Sequence, residues 1–193
     1  MGSRQRGMAS ATASALSEVM MAVHLQAVGI SSEWLTPPEI FAGLRRGGIE
    51  VFDLDPCHPG RDNPYCVVPA RKTYTEADDG LRQPWEGEVF LNPPFGKRYS
   101  HVPWLKRFFA DGSGIALCNA LTSSNWWHAV VVPDFQVIVF PAGKTKFLTP
   151  LDGTPGPEPA NGIALIAVGA VACEALKHCG LGWVVVNPRD GRV

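Results

Sequence analysis

The sequence predicts an α/β fold: a mostly parallel sheet covered on both faces by helices, with an antiparallel edge in the C-terminal half. Three observations predict it. Short apolar, β-branched runs alternate with segments of helical spacing. Two of the runs end in Asp-Pro or Asn-Pro, pairs that start turns. The chain has 193 residues, enough for one such domain with a sizeable core. With 46% apolar and 18% charged residues, a wholly disordered chain is excluded.

The elements follow in order. Thr36-Pro37-Pro38-Glu39 reads as a helix start, with Thr36 as N-cap, proline at the first helical position and Glu39 closing a capping box. Ile40, Phe41 and Leu44 give this helix an apolar face, and Gly47-Gly48 end it. Glu50 to Leu54 is a short strand, ended by Asp55-Pro56. Cys57 to Pro84 is polar, with little periodicity, and reads as mostly loop. Glu88 to Leu91 is the next strand. Trp104, Leu105, Phe108 and Phe109 place a half-buried helix over His101 to Ala110. Gly114 to Cys118 is a strand and Asn125 to Val130 a short helix. Gln136 to Phe140 and Ile163 to Val168 are strands joined by a Pro/Gly-rich excursion, Pro141 to Asn161. Ala170 to Cys179 is helical, and Trp183 to Val186 is the last strand.

Residues 1–30 hold only Arg4, Arg6 and Glu18 as full charges and read as a flexible leader ahead of a folded domain, 31–193. No apolar run approaches the ~20 residues of a membrane-spanning helix, so no membrane role is expected. Five cysteines, an odd number, read as reduced thiols of a cytoplasmic protein. Cys57-His58 and Cys66 lack the two spaced pairs of a zinc site, so no metal is expected. The net charge of −1 excludes a strongly basic coat protein; any nucleic-acid contact needs positive charge gathered locally.

The segment richest in chemistry is Val89-Phe90-Leu91-Asn92-Pro93-Pro94-Phe95. Ligands of open α/β sheets bind at the carboxyl ends of strands, where this segment sits. Asn92 supplies a side-chain carbonyl acceptor, and the prolines supply carbonyls without competing backbone donors. Phe95 supplies a flat apolar face. Convergent acceptors beside an aromatic ring suit an amino group on a planar ring. A plain Asn-Pro turn with Phe95 anchored in the core fits these four residues equally well.

The wider pattern decides between them. Trp34-Leu35-Thr36-Pro37, Asp53-Leu54-Asp55-Pro56, Tyr74-Thr75-Glu76-Ala77-Asp78-Asp79-Gly80-Leu81, Trp85, Leu91-Asn92-Pro93-Pro94-Phe95-Gly96, Trp104, Asn125-Trp126-Trp127-His128 and Gly143-Lys144-Thr145-Lys146-Phe147 occur in this order. From Trp34 to Val168 the chain resembles the phage-type DNA adenine methyltransferases, the Dam-like family of phages and prophages. The resemblance implies a Rossmann-like methyltransferase domain over 31–193 with S-adenosylmethionine as methyl donor. It implies double-stranded DNA as partner and a bacterial host's cytoplasm as location. By the same resemblance Asn92, Pro93, Pro94 and Phe95 hold the target amine. Trp34, Thr36, Pro37, Asp55, Pro56, Asp79 and Leu81 line the donor's pocket. Three positions depart from the family's pattern. Asp55 to Gly60 stands in place of the Gly-rich turn, Phe95 where tyrosine is common, and Gly143-Lys144 where the family has Gly-Arg.

Lys97 and Arg98 beside the motif, with Lys144 and Lys146, are the expected phosphate contacts. Lys106 and Arg107 read as an ordinary solvated helix face. No room remains for a separate recognition domain, so base reading falls to Gly96–His101 and to the excursion, which implies a short or relaxed target site. The motif alone leaves other acceptors open: an RNA adenine or a protein glutamine amide. A catalytically dead DNA-binding module of the same fold also stays open.

Overall fold

The computed structural model describes residues 34–60, 62–95 and 100–189, all within the unit Glu33–Val193. The expected leader, 1–30, and the expected phosphate contacts Lys97 and Arg98 lie outside the described residues.

Helix α1 (Pro38–Arg46) leads into strand β1 (Phe52–Asp55), which is followed by β2 (Ala70–Thr73), a 3-10 turn (Glu76–Asp78) and β3 (Glu88–Leu91). Helix α2 (Val102–Asp111), β4 (Ser113–Asn119) and a π-helical turn (Trp127–Val131) come next. Strands β5 (Val137–Pro141) and β6 (Ile163–Val168), helix α3 (Ala170–His178) and β7 (Gly182–Val186) complete the order.

The seven strands form one sheet in the order β2-β1-β3-β4-β6-β5-β7. β1 runs parallel to β2 and β3, and β3 parallel to β4. β6 pairs antiparallel with both β4 and β5, and β7 pairs antiparallel with β5. The antiparallel character expected at one edge therefore reaches inward: β6 is wedged between β4 and β5. Its residues Ile163 to Ala167 are buried, as a strand covered on both faces requires.

Alternate side chains feed two cores. Phe90, Ile115, Leu117, Val137, Val139 and Leu165 face α1 and α3, together with Phe41, Leu44 and Leu176. Val89, Leu91, Ala116, Cys118, Ile138 and Ile166 face the other way, toward Leu105 and Phe108 of α2 and Trp127 and Val131 of the π turn. This is the period-two alternation of strands sandwiched between helices.

Three expectations are corrected and a fourth gains detail. Thr36 does not cap α1: Pro37 is the N-cap, Pro38 the first helical residue, and no side-chain cap bond forms. The capping box sits instead at Thr75–Asp78, opening the 3-10 turn. The region expected as mostly loop contains β2, an edge strand whose Arg71 and Lys72 are exposed, so it lacks the apolar alternation that marks a strand. Arg107 is no solvated helix residue: its guanidinium donates to the carbonyls of Leu81 and Gln83 and lies over the Trp85 ring at 4.8 Å.

Phe90, fully buried, meets Phe41 and Phe52 with ring centroids 5.0 and 5.2 Å apart. This cluster ties α1 and β1 to the strand that carries the Asn-Pro-Pro motif. Phe90→Ala is expected to lower unfolding free energy by about 3–5 kcal/mol in urea denaturation. A loss below ~1 kcal/mol would mean the cluster is not a core anchor.

Candidate active site

Asn92 follows β3 directly, so the sheet's own hydrogen bonds fix where its backbone ends. Its side-chain NH2 donates to the Trp34 carbonyl at 2.9 Å and the Thr36 hydroxyl at 3.2 Å. A carbonyl oxygen only accepts, so the atom facing Trp34 must be the nitrogen, which fixes the amide's orientation. The opposite atom, Oδ1, is buried and has no partner among the described residues. An unmatched buried acceptor costs on the order of 1–3 kcal/mol, so an oxygen left this way among the described residues is chemically available to a donor.

Two more acceptors and a ring follow. No described residue donates to the Pro93 carbonyl, whereas the Ser100 hydroxyl donates to the Pro94 carbonyl at 2.7 Å. Phe95 is half-buried and tilted toward His101 at 6.1 Å. His101, in turn, meets the Trp126 ring edge-on at 4.5 Å. His101 is buried, its Nε2 has no partner among the described residues, and burial holds its pKa below the usual histidine range. Sequence reading gave His101 no part in the amine site, naming it only as a helix start and as the end of the Gly96–His101 segment, because a lone histidine there carries no motif. Its place six residues after Phe95 was the available signal. Trp126 and Trp127 are both buried, so the pair belongs to the core.

Beside this lies the end of β1. The register pairs Leu54 with Val89, so β1 and β3 end side by side. Asp55 is buried at 3% exposure, and its Oδ1 accepts from the Cys57 N–H at 2.9 Å. Burial pushes its carboxyl up to about 7, against the pull of that one hydrogen bond. No cation among the described residues stands beside it. The Asp79-Gly80-Leu81 turn is laid against the same strand end. A Cβ at Gly80 would come within 2.1 Å of the Pro56 carbonyl oxygen, so only glycine lets the two segments touch. The Gly80 carbonyl accepts from the Trp85 indole at 2.8 Å, and Trp85 stacks on Trp104 at 6.2 Å. Asp79 is exposed and paired with Arg82 at 3.1 Å, while Leu81 is half-buried, its carbonyl taken by Arg107.

The site residues expected from sequence thus fall into two adjoining groups. Trp34, Thr36 and Asn92 are hydrogen-bonded together, with Pro93, Pro94 and Phe95 next in the chain. Asp55, Pro56, Asp79 and Leu81 gather at the end of β1. Pro37 is buried at the start of α1. Lys144 lies in the excursion, 3.7 Å from Glu158, and Lys146 is exposed. An exposed pair of this kind is worth little. Among the described residues no three His, Cys, Asp or Glu side chains converge on a metal position, and no helix is long and apolar enough to cross a membrane.

Residues 27–166 match the family model described as DNA N-6-adenine-methyltransferase (Dam). No curated protein and no solved structure matches the chain.

The buried carboxyl at Asp55 has a consequence for stability. Its pKa is raised above the unfolded value, so the folded state binds the extra proton between about pH 4 and 7, and stability falls as pH rises through that window. Asp55→Asn removes the penalty. It is expected to raise the urea midpoint more at pH 8 than at pH 5, and equal shifts at both would contradict the burial.

Proposed function

The chain belongs to the DNA N-6-adenine-methyltransferase (Dam) family, and on that premise we propose that it methylates the exocyclic amine of adenine in double-stranded DNA with S-adenosylmethionine. The observation that carries the proposal is the Asn92 amide, whose donors are both engaged and whose buried oxygen awaits one. Family membership implies a DNA adenine as substrate; the amide states what such a substrate must offer, namely an N–H.

Adenine's amine is a weak nucleophile because its lone pair is delocalised into the ring. Asn92 Oδ1 takes one of its hydrogens and the Pro93 carbonyl the other. The nitrogen is thereby drawn toward tetrahedral geometry, with its lone pair localised. S-adenosylmethionine, when bound, would supply an electrophilic methyl on a cationic sulfur, which keeps the bonding pair and leaves as the neutral thioether, while the amine's surplus proton passes to water. The residues present fit that charge: Asp55 is a buried carboxyl without a cation among the described residues. Phe95 offers its ring to the extruded base, a contact worth about 1–3 kcal/mol against an unstacking cost of similar size. The protein's work is orientation and placement of dipoles. Lys97, Arg98, Lys144 and Lys146 hold backbone phosphates. We place the protein in a bacterial host's cytoplasm, encoded by a phage or prophage.

The test is nucleoside mass spectrometry of DNA incubated with the protein and S-adenosylmethionine. N6-methyladenine is expected with the wild type and a loss of at least about a hundredfold with Asn92→Ala, at little cost to donor affinity. Methyl incorporation into RNA or protein in place of DNA, or full activity in the variant, would overturn the proposal. Donor affinity is also expected to fall as pH drops below about 7, because protonation of Asp55 removes the charge opposite the sulfonium. Calorimetry across pH 6–8 checks this, and a flat profile would remove Asp55 from the pocket.

A further inference from the structure

We infer that the Pro141–Asn161 excursion is a positioning element for Asn92, acting through Trp34 and Thr36, and not primarily a loop that reads DNA. The inference rests on the reading of Asn92 as the acceptor for the target amine.

The two groups that orient Asn92 lie in a short segment ahead of α1, outside the sheet. Leu35, between them, is buried and exchanges both backbone hydrogen bonds with Leu148 of the excursion, each 3.0 Å. Leu148 also bridges to Pro155, and Gly156 N–H donates to the Phe147 carbonyl at 2.7 Å. Residues 147–156 therefore form a small hairpin with Leu35 added as a third strand. Its tip is closed by Asp152, which accepts from the Thr154 N–H and hydroxyl at 3.0 and 2.7 Å. It is also moored to the body by Asn63, which donates to the Pro150 carbonyl at 3.0 Å.

Trp34 seats against Gly156. A Cβ there would stand 2.3 Å from the indole Cζ3, closer than any real contact, so a side chain at 156 must displace the ring. Trp34 and Thr36 flank Leu35, and both accept from Asn92. An asparagine amide has little torsional preference of its own, so its orientation must come from such partners. The path from the hairpin to Oδ1 runs through direct contacts only: Gly156 to Trp34, Leu148 to Leu35, then the Trp34 carbonyl and Thr36 hydroxyl to the Asn92 nitrogen.

Thr36→Val removes the acceptor at nearly constant shape, Thr36→Ser keeps it, and Gly156→Ala pushes on Trp34. Thr36→Val and Gly156→Ala are expected to lower kcat roughly ten- to a hundredfold, with the affinities for DNA and S-adenosylmethionine unchanged and Thr36→Ser near wild type. Hydrogen exchange of the Asn92 side-chain amide, read by NMR on the protein alone, should be slow in the wild type and Thr36→Ser and fast in the other two. Should Gly156→Ala fail to fold, Thr36→Val decides. Loss of DNA affinity in Gly156→Ala with kcat intact would make the excursion a DNA-reading loop. Loss of donor affinity in Thr36→Val with kcat intact would return Thr36 to the donor's pocket. Unchanged exchange in both variants would overturn the inference directly. The exchange measurement needs no turnover, so it stands whether or not the wild type methylates adenine.

Discussion

Asn92 has committed both of its donors, to the Trp34 carbonyl and the Thr36 hydroxyl, and is left with a buried acceptor facing away from them. Much of the surrounding structure serves that one side chain. β3 delivers its backbone, the phenylalanine cluster around Phe90 holds β3 to α1 and β1, and Trp34 to Thr36 precede the helix that this cluster anchors. A turn would have satisfied an Asn-Pro-Pro sequence without any of this. What a turn does not explain is a side-chain oxygen kept out of water with nothing to accept from among the described residues, since folding alone selects against such atoms.

The second group of residues obeys a different constraint. Asp55 is a charge-bearing group at a strand end that burial makes reluctant to ionise, and its single described hydrogen bond is too little to reverse that. A ligand carrying positive charge reverses it. The close approach of Gly80 to Pro56 brings the Asp79–Leu81 turn to the same strand end, and Arg107 fastens that turn to α2. The two groups are neighbours because β1 and β3 are neighbours, in parallel, with their carboxyl ends together. The carboxyl ends of two interior strands thus bring a buried carboxyl and a buried amide oxygen to neighbouring places, the pairing that the methyl transfer proposed above needs.

Most of the fold was legible because buried strands and half-buried helices write their periods into the sequence. β3, β4, β5, β6 and β7 and the three helices of the described residues lie where apolar spacing puts them, within a residue or two. β2 was not legible, since an edge strand made of Ala70, Arg71, Lys72 and Thr73 buries almost nothing. The place of β6 between β4 and β5 was also hidden: pairing order is decided by contacts distant in sequence, which local pattern does not carry. For the site, the chemistry of Asn92 to Phe95 could be read from residue types, and the wider order of motifs from a family resemblance. The use of Thr36 was misread, because Thr-Pro-Pro-Glu is a good helix start on local grounds. The tertiary bond to Asn92 competes with the cap and wins. Arg107 was misread for a similar reason, as its partners Leu81 and Gln83 lie in a loop more than twenty residues away. His101 carried only its place six residues after Phe95.

The central claim is that the amide oxygen of Asn92, not its nitrogen, meets the target amine. A crystal structure of the protein with duplex DNA and an unreactive analogue of S-adenosylmethionine tests it most directly. The account predicts an extruded adenine with its N6 about 2.7–3.2 Å from Asn92 Oδ1, while Nδ2 still donates to Trp34 and Thr36. An adenine amine held elsewhere, or an Asn92 side chain turned to offer its nitrogen to the base, would contradict it.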